Sequence, residues 1–149
     1  MSYYNPFQNL ELRIPEAYRE EVDRYCQTQP AGGARPSPDE SPFPRIVDLW
    51  FVAVCLGARE GRPVPVEKPH RFITGEILSR DAYRIDIIEL AAIAVSGDPW
   101  IIDKPAMVMD LANSLAAAAL PKLLELLSTG NAKPIWNLTD NLLELASGA

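Results

Sequence analysis

Between Arg59 and Arg71 the sequence reads REGRPVPVEKPHR, which sets Arg59, Arg62, Lys68, His70 and Arg71 close together against only Glu60 and Glu67. Guanidinium and ammonium groups grouped on a loop can hold phosphate or carboxylate oxygens without further machinery. Reading a base sequence would in addition require a helix or ribbon presented to a groove. These five residues are therefore the candidate nucleic-acid or partner contact. The formal charge of -6 and the sequence pI near 4.8 exclude a protein whose whole surface matches DNA or an anionic membrane. The middle of the chain, residues 45–100, comes nearest to neutrality, with seven basic and eight acidic side chains.

Other chemistry finds less support. His70 is the sole histidine, and nucleophilic catalysis through it would need a serine or cysteine delivered from elsewhere in the fold. Its setting, EKPHRF, carries no motif for such a partner. Asp81, Asp86 and Glu89 lack the separated acid, acid and lysine pattern of a metal-dependent nuclease core. They read instead as solvated helix positions or ion-pair partners of Arg80 and Arg84. Neither GxxxxGK[ST] nor GxGxxG occurs, so nucleotide hydrolysis has no motif. Cys26 and Cys55 have no Cys or His at metal-ligand spacing, and are expected to stay reduced and pack as small apolar groups. No catalytic residue, cofactor or metal is expected.

The elements that must position these groups read as helices. A chain of 149 residues with 48% apolar residues suits one domain with its own core. A first helix is expected from Ile14-Pro15 through EAYREEVDRYCQ, packing by Ile14, Tyr18, Val22 and Tyr25 or Cys26. Residues 30–44, PAGGARPSPDESPFP, read as a semi-extended loop or linker that Phe43 can fasten to the body.

A second helix is expected from Pro44 or Arg45 to Leu56, apolar nearly all round and so central in a bundle, with Gly57 closing it. A central strand competes for that segment, but thirteen residues is long for a strand and Asp48 would fit one badly. RFIT has strand character and suggests a short hairpin within residues 64–77. A third helix, capped by Ser79 or Asp81, has Ile85, Ile88, Leu90, Ala92 and Ile93 as its apolar stripe and ends at Gly97.

Asp103 reads as the N-cap of a fourth helix that runs to Gly130, with Pro121 kinking or breaking it and Ala116 to Ala119 allowing close approach. Pro134 opens a last helix packing by Ile135, Leu138, Leu142, Leu143 and Leu145. The expected fold is all-α: a compact bundle of five or six helices with a short β-hairpin near residues 64–77. It forms a single helical domain over 1–149: an N-terminal helix in 1–29, a Pro-rich loop in 30–44 and the main helical body in 45–149.

Three blocks occur in order: IVDLWFVAVCLGAREGRPVPV, RIDIIELAAIAVSGDPWII and MDLANSLAAAALPKLLELL. In that order they resemble the DNA phosphorothioation-associated protein 4 (Dnd-system-associated protein 4) family over about residues 45–128. The alanines after Asn113 stand where members of the family tend to have glycines. The resemblance implies a place in the bacterial systems that substitute sulfur for a backbone phosphate oxygen of DNA and use the mark in phage defence. It implies no catalytic residue.

The expected function is a non-enzymatic accessory or adaptor protein of such a DNA-modification or phage-defence system, working through protein-protein contacts, self-association among them. A small DNA-binding or regulatory protein is the alternative, and a hydrolase assembled only with a partner subunit is a third reading. MSYYNPFQNLELR lacks the basic and apolar succession of a secretory signal, and Glu89, Asp110 or Lys122 interrupt the apolar runs before about 20 residues. A cytoplasmic protein without a membrane partner is expected.

Overall fold

Leu12 and Ile14 are both buried and two residues apart, the spacing of a strand with one face on a core. In the computed structural model, which describes residues 4–27 and 37–148, this segment is strand β1, Glu11–Pro15. A 3-10 turn, Glu16–Tyr18, leads into the short helix α1, Arg19–Arg24. Then follow helix α2, Ile46–Glu60, and strand β2, Pro69–Thr74. A 3-10 segment, Gly75–Asp81, precedes α3, Tyr83–Ser96, and another, Pro99–Asp103, precedes α4, Pro105–Ser128; α5 is Pro134–Ser147. The fold is a mostly α-helical bundle with a small two-stranded antiparallel sheet.

The strand character of RFIT is realised in β2, whose partner is β1, with Glu11 opposite Thr74 and Pro15 opposite Pro69. An irregularity between Leu12 and Arg13 shifts the register. The N-terminal helix consequently starts later than expected, and Ile14 belongs to the strand. A period of two was hidden there because Ile14 fits both a strand alternation and a helical step.

Helix α2 lies along α4, and between them they bury Trp50, Ala53, Val54, Leu115, Ala116, Leu120 and Leu123. Gly57 does not close α2: the helix passes through it to Glu60, and Gly61, at φ 70°, takes the left-handed capping position. Gly57 is instead a packing residue, because a Cβ there would lie 2.2 Å from the backbone oxygen of Leu115.

α4 continues unbroken through Pro121, held on both sides of it by buried leucines. Burial of an apolar face outweighs the roughly 3 kcal/mol that an interior proline costs a helix. By length and composition α4 could cross a membrane, but 61% of its most apolar window is buried inside the bundle, which accounts for its hydropathy.

The expected caps differ. Asp103 ends the preceding 3-10 turn, and Pro105 opens α4 as its first residue. Ser79 and Asp81 lie in the 3-10 segment before α3, whose N-cap is Ala82. Gly97, at φ 71°, does end α3.

Asn113 of α4 organises the joint between layers. Its Oδ1 accepts from Arg13 N at 2.9 Å and Trp50 Nε1 at 3.1 Å, while its Nδ2 donates to Glu11 O at 3.0 Å. One buried amide thus fixes β1 and α2 onto α4, each of its atoms satisfied. Phe43 is buried and its backbone exchanges hydrogen bonds with Tyr25 and Gln27, which fastens the end of the Pro-rich segment to the body. The expectation for residues 30–36 falls outside the described residues.

Candidate functional site

The five basic candidates occupy two settings. Arg59, in the last turn of α2, donates from Nη2 to Leu145 O at 3.2 Å, near the C-terminal end of α5. Arg62 follows Gly61 and, with Lys122, flanks an apolar slot of about 320 Å³ lined by Leu56, Val64, Ala119 and Leu145. The other three belong to the strand side. His70 Nδ1 stands 3.6 Å from Glu16 Oε2, and Arg71 Nη1 donates to Glu11 Oε2 at 3.2 Å.

Lys68, with φ 45°, has its backbone oxygen bonded to Glu16 N. Because His70 and Arg71 are adjacent on β2, their side chains leave opposite faces of the ribbon. Glu11 holds Arg13 as well as Arg71. These two guanidiniums, by hydrogen bonding and charge, keep its carboxyl below the ordinary value although burial pushes the other way.

The densest charged cluster lies elsewhere. Asp48, in the first turn of α2, accepts from Arg45 N (2.9 Å) and Nε (3.2 Å) through Oδ2. Its Oδ1 accepts from Arg45 Nη2 and Arg84 Nη1, both at 2.9 Å. Arg45 reaches on to Asp81 at 3.1 Å, and Arg84 lies over the Phe51 ring, 4.8 Å from its centroid.

Burial pushes the Asp48 carboxyl up, but the hydrogen bonds and charges of Arg45 and Arg84 outweigh it and leave the group below its ordinary value. The ion pairs differ from those expected: Arg84 pairs with Asp48 and Asp81 with Arg45, so it is Asp48 of α2, and not an acid of α3, that joins α2 to α3. Among the described residues no group of three or more His, Cys, Asp or Glu is placed to hold a metal ion.

Two helices depart from the expected packing: in α5 Leu143, expected in the stripe with Leu138, is 65% exposed, because α5 lies at the edge of the bundle and buries only one narrow face, and α3 departs at Leu90. Ile85, Ile88 and Ala92 are buried against the body, as the periodicity predicts, but Leu90 is 63% exposed and does not join them. It lies on the opposite face with Ile87, 37% exposed, and Ala94, at steps of three and four residues, while Tyr83, one turn before them and 56% exposed, sets its ring edge-on to Phe51 of α2 at 6.3 Å between centroids. Such spacing makes a continuous apolar stripe along the outside of the helix. Trp100, just past the C-terminal end of α3, is 73% exposed. The sequence held a signal for this face: α3 is apolar in two opposed phases, and a helix in this layer can bury only one of them.

No family model, curated protein or solved structure matches the chain. The chemistry of these two surfaces, the divided basic groups and the apolar stripe of α3, is what a functional reading has to use.

The cysteines separate as well. Cys26 is fully buried and its thiol is pushed up to about 12, chiefly by that burial, so it stays protonated and inert. Cys55 does not pack inside as expected but is exposed on α2, because its position falls on the helix side away from α4. A chromogenic thiol reagent is expected to titrate one thiol in the native protein and both after denaturation. Cys26→Ser should leave the native count unchanged, and Cys55→Ser should abolish it.

Proposed function

We propose that the protein is a non-enzymatic accessory or adaptor that works by docking other protein surfaces on the outer face of α3. The observation that carries this is the stripe Ile87, Leu90 and Ala94, exposed at helical spacing on a helix whose other side is already buried, with Tyr83 half exposed at its N-terminal end. Contiguous apolar surface of more than a few hundred Å² on a soluble protein marks an interaction site. Tyr and Trp beside it are the side chains that most often carry binding energy. The three ordered blocks in residues 45–128 support assigning the protein to a phosphorothioation-type DNA-modification or phage-defence system of the cytoplasm. α3 itself lies within the second of those blocks.

The test is affinity capture from the native host with the wild-type protein and with Leu90→Glu. Loss of the wild-type partners with Leu90→Glu, at unchanged thermal stability, is the expected result. Identical partner sets for the two proteins would remove the α3 face from the function.

A second reading is favoured by one observation: Arg62 and Lys68 are held by no carboxylate among the described residues. They remain available to phosphate oxygens, and a small DNA-binding protein would use them. That reading requires duplex binding that weakens with salt and is lost in the Arg59→Ala, Arg62→Ala double variant. Absence of a band shift at low salt disposes of it.

A further inference from the structure

Gly57 of α2 and Ala118 and Ala119 of α4 carry little or no side chain, and beside them a slot of about 320 Å³ stays open. Leu56, Val64 and, from α5, Leu145 wall it. Drawing the two helices together cannot close the slot, because a Cβ on Gly57 would lie 2.2 Å from Leu115 O. The cavity is therefore pre-formed, at the small end of the roughly 300–1,000 Å³ of ligand sites.

Its walls are tied in place. Arg59 Nη2 donates to Leu145 O at 3.2 Å and holds α5 against the end of α2. Val64 N donates to Ser114 O at 3.2 Å and fastens the loop after α2 to α4. Arg62 lies between that tie and the left-handed cap at Gly61. Burial is graded across the slot: Gly57 and Ala119 are buried, Leu56 and Leu145 half-buried, and Arg62 and Lys122 exposed. An occupant sets an apolar end inward and a polar end at the rim.

Charge selects that polar end. Arg62 and Lys122 are paired with no carboxylate among the described residues, and exposed Glu60 is the one acid in the lining. Two cations against one acid favour an anion over an amine. No hydroxyl or amide side chain lines the slot, so a sugar or a nucleobase would leave polar edges unpaired in it.

We propose that this slot binds an aliphatic monocarboxylate of medium length, its tail inward on Gly57 and Ala119 and its carboxylate at Arg62 and Lys122. The volume admits one such chain and not the two of a phospholipid. α3 contributes nothing to the lining, so the site is separate from the docking face.

Equilibrium dialysis of labelled octanoate against the full chain should show saturable binding at one site. Octan-1-ol should displace it about tenfold less well than unlabelled octanoate, and the Arg62→Gln, Lys122→Gln double variant should lose about tenfold in affinity, the sum of two exposed ion pairs. Ala118→Leu and Val64→Phe, which fill the slot from α4 and from the loop, should each abolish binding, with urea unfolding confirming a retained fold. Tails longer than decanoate should gain nothing, whereas an open apolar surface would gain about fourfold for each methylene.

No saturable octanoate binding would overturn the site, as would full binding by both filled variants or an affinity that keeps rising with tail length. Displacement by octan-1-ol as effective as by octanoate would overturn the carboxylate. Leu90→Glu should leave octanoate binding unchanged. If it abolishes binding while the filled variants retain it, the acid sits on the α3 face and the slot is overturned, with the docking reading untouched.

Discussion

Gly57→Ala is expected to destabilise the protein by about 3 kcal/mol or more, at or beyond the upper end of ordinary overpacking. On an exposed helix the same change would stabilise by roughly 0.5–1 kcal/mol, because alanine loses less backbone freedom. The sign reverses here because the new methyl would lie 2.2 Å from Leu115 O and 2.7 Å from Leu115 C, both backbone atoms. A side chain could rotate away; the α4 backbone can yield only by moving α2 outward. That movement would loosen Trp50 and Val54 against Leu120 and Leu123, all fully buried.

Gly61→Ala is the control. Gly61 has φ 70° and no atom within 4 Å of the place a methyl would take, so only the left-handed conformation penalises the change, by about 1 kcal/mol. Urea unfolding of both variants measures the difference. Equal losses would show that α2 and α4 do not meet as closely as Gly57 implies.

This contrast changes the meaning of LGAREGRPVP. The segment does stop a helix, but at its second glycine, and the first glycine is a contact between two helices. The local sequence points to the wrong one, because Gly57 directly follows the apolar run Ile46 to Leu56, while Gly61 follows Arg59-Glu60 and stands two residues before Pro63. Only the approach of α4 decides, and that is a long-range fact.

The same limit governs β1. Its partner lies about sixty residues along the chain, so no local hairpin signal existed, and a proline at position 15 suits a helix start as well as a strand end. The helices were legible because amphipathic periodicity and the breakers Gly97 and Pro134 are local properties. The basic residues were legible as a cluster in sequence but not in space, since strand alternation and the turn after Gly61 send them to different neighbours. The face of α3 was half legible: its two apolar phases are visible, but which one is buried depends on the helices it meets.

Asp48→Asn is expected to cost about 3 kcal/mol, the lower end of the range for removing one partner of a buried ion pair. The side chains of Asp48 and Arg84 are only 11% and 13% exposed, while Arg45 retains 31% and can regain water. Arg84 is the group left stranded. An amide keeps the shape of the carboxylate, yet it has one acceptor oxygen where Arg45 and Arg84 together use two. The Phe51 ring under Arg84 offsets part of the lost charge but cannot accept its hydrogen bonds.

A double-mutant cycle separates this from a general packing defect: Arg84→Met in the Asp48→Asn background should cost less than Arg84→Met alone, with a coupling of about 1–3 kcal/mol. pH gives an independent reading. The folded carboxyl lies below its ordinary 3.8, so its contribution is fully present above that value and is lost as pH falls through the lower, folded value. The wild-type protein should therefore lose stability below about pH 4 more steeply than Asp48→Asn, and the two unfolding midpoints should converge in acid. Parallel acid profiles for the two proteins would mean that the carboxylate is not ion-paired in solution, and the joint between α2 and α3 would then rest on apolar and ring contacts, Phe51 against Tyr83 and Arg84 among them.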